Sequence, residues 1–154
     1  MKNIQELEEV LLVKQPVDAD NYAAGTVNGS SVDTKDYDSL LVILNLGDME
    51  ASGTVDLKLQ DSSDDSTFAD ITDAAFSQKV DATDDNKVFI GRIKCKNYDR
   101  YVRPVVTVAT AASDLAVQFI LAKHDGLAPV SQDNTVEFKL DYDSDGGTVG
   151  SQST

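Results

Sequence analysis

An all-β domain is the fold class this sequence predicts, and three observations carry that expectation. Apolar and polar residues alternate in short runs: Val55, Leu57 and Leu59 against Asp56, Lys58 and Gln60; Val102, Pro104, Val106 and Val108 against Tyr101, Arg103 and Thr107; then Leu115, Val117, Phe119 and Leu121. Clusters of Gly, Asp, Asn and Ser punctuate these runs at the spacing of short strands. Helical spacing of apolar residues is confined to the N-terminal segment.

Taken in order, residues 1–16 are expected to form an arm or a short helix. Ile4, Leu7 and Leu11 have helical spacing, Val10 to Val13 equally fits a strand that pairs with a sheet, and Pro16 closes the segment. Residues 18–33 are small and polar, which predicts a long connection with a weak strand around Val27. Residues 37–46 are densely apolar and end at Gly47-Asp48, the pattern of a central strand buried on both faces. Residues 54–60 form a half-buried strand, an Asp/Ser turn follows, and residues 68–71 return. Residues 73–86 hold Val80 as the anchor of a brief strand or a loop. Residues 87–96 place Phe89, Ile93 and Cys95 on one face, with Gly91 at a bulge or close contact. Together with residues 100–110 and 115–121 they are expected to make an antiparallel meander. The domain body is thus residues 17–132, and residues 133–154 add one alternating strand, Val136, Phe138 and Leu140, followed by a flexible acidic tail.

The chain has 154 residues, enough for one domain with its own core. Its longest apolar run, Leu40 to Leu44, is far short of the ~20 residues of a membrane span, so no membrane partner is expected. Glu6, Glu8 and Glu9 stand where a secretion signal would be basic and then apolar, and no cleaved signal is expected. Cys95 is the single cysteine, which excludes an intrachain disulfide. A net charge of −14 repels nucleic-acid phosphates and excludes free nucleic acid as a partner. Against that background Arg92, Lys94, Lys96, Arg100 and Arg103 lie close together in the chain. They fit either a solvated strand face or an intersubunit patch facing an acidic protein surface.

Chemistry is sparse. Asp141, Asp143, Asp145 and Gly146 match positions 1, 3, 5 and 6 of a calcium loop. Position 12 is Gln152 in place of a bidentate Glu and no helical pattern flanks the loop, so no metal site is assigned. Asp61, Asp64, Asp65 and Asp70 read as turn formers. His124 is the only histidine and precedes a turn, no nucleophile motif is present, and Cys95 falls on an apolar strand face. The expectation is a protein that is not an enzyme and needs no cofactor. A hydrolase with a hidden carboxylate pair is the remote alternative.

From residue 37 to residue 129 the order of elements resembles that of the head decoration, or auxiliary capsid (cement), proteins of tailed bacteriophages. The likeness rests on Tyr37-Asp38-Ser39-Leu40-Leu41 with its Gly47 end, Gln60-Asp61-Ser62, Phe68-Ala69-Asp70-Ile71, and Arg100 to Arg103 opening a Val-rich strand. Asp64-Asp65 and Phe68 stand where similar proteins often have Asp-Gly and Trp. The resemblance implies an antiparallel β-sandwich of jelly-roll type, with a trimer bound to the major capsid protein on the virion surface. Under it residues 1–15 and 136–154 are reaching segments. The interface candidates are Ile4, Leu7, Leu11, Arg92, Lys94, Lys96, Arg100, Arg103, Val136, Phe138 and Leu140. A carbohydrate-binding or host-attachment sandwich is the rival reading, weakened by the absence of Trp.

Overall fold

The computed structural model describes residues 11–122 and the backbone of residues 136–140. Its organising element is a pair of adjacent strands, β4 (Ser39–Met49) and β10 (Ser113–Ala122), whose inward residues Leu40, Leu44, Val117, Phe119 and Leu121 are all completely buried. Around them the chain builds a five-stranded sheet in the order β1-β10-β4-β8-β11, where β1 is Leu11–Tyr22, β8 is Val88–Lys94 and β11 is Val136–Leu140. A second sheet packs over its inner face in the order β2-β9-β5-β6, with β2 Gly25–Asn28, β5 Thr54–Ser62, β6 Ala69–Ala75 and β9 Tyr101–Ala109. Short strands β3 (Val32–Asp33) and β7 (Lys79–Val80) pair with β9 and β5, and a single helical turn, Asp81–Asp84, follows β7. The molecule is an all-β sandwich in which every pairing between described strands is antiparallel except that of β11 with β8.

Alternation explains the layers. Val55, Leu57 and Leu59 of β5 and Val102, Val106 and Val108 of β9 point inward with at most 3% exposure, while Asp56, Lys58, Gln60, Arg103 and Thr107 point outward. The expected strands at residues 54–60, 100–110 and 115–121 are present, as are the weak strand around Val27 and the brief one at Val80.

Four expectations differ. The meander does not form: β8 and β10 belong to the first sheet and β9 to the second, so the turns on either side of β9 cross the sandwich. Alternation marks a strand with one buried face without saying which sheet owns it. Strand β4 is buried on its inner face only, and Leu41 and Ile43 on its outer face are half-buried. Gly47 does not end that strand, which runs on to Met49. Finally, Pro16 does not close the N-terminal segment: of the two readings of that segment, Leu11 to Pro16 take the one of a strand paired with a sheet and form the first half of β1. That strand passes through Pro16 at a register shift between Lys14 and Val17. An edge strand tolerates this, because the proline's missing N–H costs no ladder bond at a bulge.

A proline within β9 is harder to place, since β9 has neighbours on both sides. Pro104 lies opposite Leu59 of β5, and on its other side the partner strand is interrupted between β2 and β3. At that gap the Pro104 carbonyl accepts from Gly29 N–H at 2.8 Å. A Cβ on Gly29 would stand 2.6 Å from Pro104 Cγ, so only glycine allows this closure.

Phe119 is fully buried in β10 between β1 and β4. Phe119→Ala is expected to lower unfolding free energy by about 3–5 kcal/mol in urea titration. A cavity of about 30 Å³ lined by Val42, Leu57, Leu59, Ala74, Phe76 and Gly91 lies between the sheets near β6 and β8. Gly91 pairs with inward-facing Val42 and does not have a positive φ. Gly91→Ala is therefore expected to raise stability by about 0.4–1 kcal/mol, read as a later denaturation midpoint.

Candidate interaction surfaces

Register places the outward residues of the first sheet in rows. Val13, Ile120, Leu41 and Arg92 are successive partners across β1, β10, β4 and β8, and Ile43 pairs with Ile90 beside them. Paired positions share a face. The outer surface of this sheet is thus an apolar stripe where an antiparallel sheet facing water normally carries polar side chains. Val13 is 61% exposed, the one large apolar residue among those described that stands so far into solvent. Arg92 and Lys94 border the stripe along β8, at positions paired with Leu41 and Ser39.

The outer surface of the second sheet has the opposite character. Lys58 Nζ donates to Asp70 Oδ2 at 2.7 Å, Gln60 Nε2 donates to Asp70 Oδ1 at 2.7 Å, and Arg103 donates twice to Gln60 Oε1 at 3.0 and 2.8 Å. The Arg103 guanidinium also lies 4.1 Å from the centre of the Phe68 ring. Arg100 grips Asp33 with two bonds at 2.9 and 2.6 Å, which holds the Asp33 carboxyl down at about 2. Gln78 donates to Asp56 at 2.8 Å. These polar groups bind one another across strands.

The Asp-rich turn at residues 61–70 is likewise engaged internally. Asp64 Oδ1 accepts from Thr67 N–H, Ser66 N–H and the Ser62 hydroxyl at 2.8 to 2.9 Å, and these bonds hold its carboxyl well below the usual range. Asp61 accepts from Asp99 N–H at 2.9 Å. Asp65 has φ +58°, the left-handed conformation that Asp tolerates in turns. Among the described residues no group of three His, Cys, Asp or Glu is arranged to hold a metal. Cys95 is 5% exposed, and burial pushes its thiol up to about 11, away from nucleophilic use. The cavity between the sheets has about the volume of one water, far below a ligand pocket of ~300 Å³.

The basic residues therefore do not form one patch. Arg92 and Lys94 lie on the first sheet, Lys96 is exposed in the 3-10 turn Cys95–Asn97 between the sheets, and Arg100 and Arg103 are bound into the second sheet. Period two along residues 92–96 ends at Lys94 because the chain turns there to change sheets. Leu11 pairs with Ala122 on the stripe's side. Val136, Phe138 and Leu140 pair through their backbones with Val88, Ile90 and Arg92. Ile4, Leu7, His124, Asp141, Asp143 and Asp145 lie outside the described residues. The apolar stripe itself, Val13, Leu41, Ile43 and Ile120, is not among the residues singled out from sequence. Its signal was the unbroken run Leu40 to Leu44, whose odd-numbered positions have no place in the core once the sheet is one-sided.

No family model matches this chain, and no curated protein matches it. Among solved structures it is similar to the PBSX exported protein XepA, with a TM-score of 0.51, 10% identity, and coverage of 87% of this chain and 44% of that one. It is also similar to a chain of the infectious bursal disease virus Gx strain structure, with a TM-score of 0.50, 10% identity, and coverage of 77% and 34%. The chain spans less than half the length of either. At this identity the likeness is one of fold.

The Asp33–Arg100 bond gives a pH dependence with a definite sign. The folded carboxyl titrates at about 2 against an ordinary 3.8, so its contribution to stability is present above pH 3.8 and is lost as pH falls through about 2. The unfolding midpoints of the wild type and Asp33→Asn are expected to differ by a constant amount at neutral pH and to converge as pH approaches 2, followed by circular dichroism.

Proposed function

We propose that this chain is a non-enzymatic structural protein of a tailed-bacteriophage particle, a decoration protein that binds the major capsid protein and stabilises the shell. The observation that carries the reading is the apolar outer face of the first sheet, bordered by Arg92 and Lys94, opposite a second sheet whose outer polar groups bind one another. A contiguous apolar face on a protein of net charge −14 is a surface for a protein partner. We read the strand order as the wrapping of a jelly roll. The chain crosses between sheets from β1 to β2, β3 to β4, β4 to β5, β7 to β8, β8 to β9 and β9 to β10, as two interleaved Greek keys require. The order of sequence elements shared with capsid decoration proteins and the fold likeness to a virus structure support the same reading.

On this proposal the protein forms trimers on the virion surface, and each docks through the first sheet onto adjacent capsid subunits. Bridging stabilises a shell by mass action: whatever binds only the assembled state shifts the equilibrium toward it, and several linked contacts multiply a modest single affinity. No step of this action needs a catalytic group.

Co-sedimentation with capsids that lack the protein tests the proposal. Wild type is expected to pellet with the shells. Val13→Asp and Ile43→Asp are each expected to weaken binding by about tenfold, equivalent to about 1.4 kcal/mol, and Thr107→Ala on the other sheet to leave it unchanged. Wild type remaining in the supernatant would overturn the assignment.

A further inference from the structure

The outer strands of the sandwich differ from β8, which lies between β4 and β11. Strand β1 is blunted along its open side by Lys14, Pro16 and two register shifts. Strand β2 is short, four residues, and β6 carries Asp70 and Asp73 and a register shift against β5. Strand β8 carries Arg92 and Lys94 near one end but has no proline and no register shift. Its seven residues include Phe89, Ile90 and Ile93. Ile90 faces outward with Ile43 yet is only 6% exposed. In its chemistry β8 is an interior strand, and it requires a neighbour on its far side.

That neighbour is β11, which is unusual in three ways. Its pairing is the one parallel ladder among the described strands. It lies three places from β10, the strand that precedes it in the chain, although consecutive strands usually lie adjacent. Its principal contacts are with β8 alone. From the pairings, its first residue is level with Val88 and the end of β10 is level with Lys94, a separation of roughly 25 Å across three strand spacings. Residues 123–135 provide chain for up to about 45 Å. The same reach lets the strand be laid on a β8 other than its own.

We propose that the β8 edge is a strand-acceptor site which, when copies are close together, takes residues 136–140 of a second copy of this chain. The exchanged pairing is the same as the one within a chain, so exchange sacrifices no contact, and each copy gives a strand and receives one. The inference is independent of any capsid, because the acceptor and the donor are both in this chain.

The test uses the full-length chain with Cys95→Ser as background. One protein carries Arg92→Cys and a second, differing in mass by a tag, carries Leu140→Cys; positions 92 and 140 are partners in the β11–β8 ladder. The two are unfolded together, refolded at high concentration and oxidised. The expected result is a mixed disulfide dimer as the main product, well above either like-with-like dimer, and the double variant should run as covalent oligomers. A double variant found only as an internally crosslinked monomer, with no mixed dimer, would overturn the proposal. So would the absence of any 92–140 disulfide. Ile90→Cys with Phe138→Cys, the register pair two positions earlier on the same face, repeats the test at a position where the outcome does not depend on losing the Arg92 charge.

Discussion

Everything in this sandwich depends on keeping a period of two in register between β4 and β10, because those adjacent strands supply most of the completely buried side chains of the first sheet. The constraint is stricter than it looks. Apolar residues occupy both faces of β4, and a slip by one residue would present Leu41 and Ile43 to the core as readily as Leu40, Val42 and Leu44. Strand β4 alone does not choose its face. Its neighbours choose for it: Asp114 and Gln118 of β10 and Arg92 and Lys94 of β8 must stay outside, and pairing to them fixes which set of β4 residues enters the core. The register shift between β10 and β4 is confined to the end near Met49, where it does not disturb this match.

The two outer faces follow from that choice. On the second sheet, outward polar groups bond laterally, from Lys58 through Asp70 and Gln60 to Arg103. On the first sheet, outward positions inherit the surplus apolar residues of β4 together with Ile120 and Val13. Leaving that area in water costs about 25 cal/mol per Å². A solvated face would gain from polar residues at these sites, and a docking face gains from keeping them apolar.

Much of the fold was legible because strand signals are local. Alternation at residues 54–60, 102–108 and 115–121, and the turn chemistry at residues 61–65, are properties of a few neighbouring residues. What could not be read was long-range. Phe89 and Ile93, Val106 and Val108, and Phe119 and Leu121 all announce a buried face in the same terms, yet the first and last pairs belong to one sheet and the middle pair to the other. The basic residues failed for the same reason. Proximity in the chain placed Arg92, Lys94, Lys96, Arg100 and Arg103 together, and a sheet change at Cys95–Asn97 parted them, leaving Arg100 to Asp33 and Arg103 to Gln60. Pro16 misled because a proline ends most strands but merely bulges an edge strand.

The apolar outer face and the β8–β11 ladder belong to the same sheet. A strand that lies in the middle of a sheet is chosen for packing on its faces and pairing on both sides, and β4 and β8 both have that character: Ile43 and Ile90 are partners on the outer face, and β8 continues the ladder outward. The second sheet is finished at its margins by short or interrupted strands, β2, β3 and β7. The sandwich thus has one sheet whose outer polar groups bond to one another, and one whose outer face is apolar and whose far margin is the parallel β8–β11 ladder.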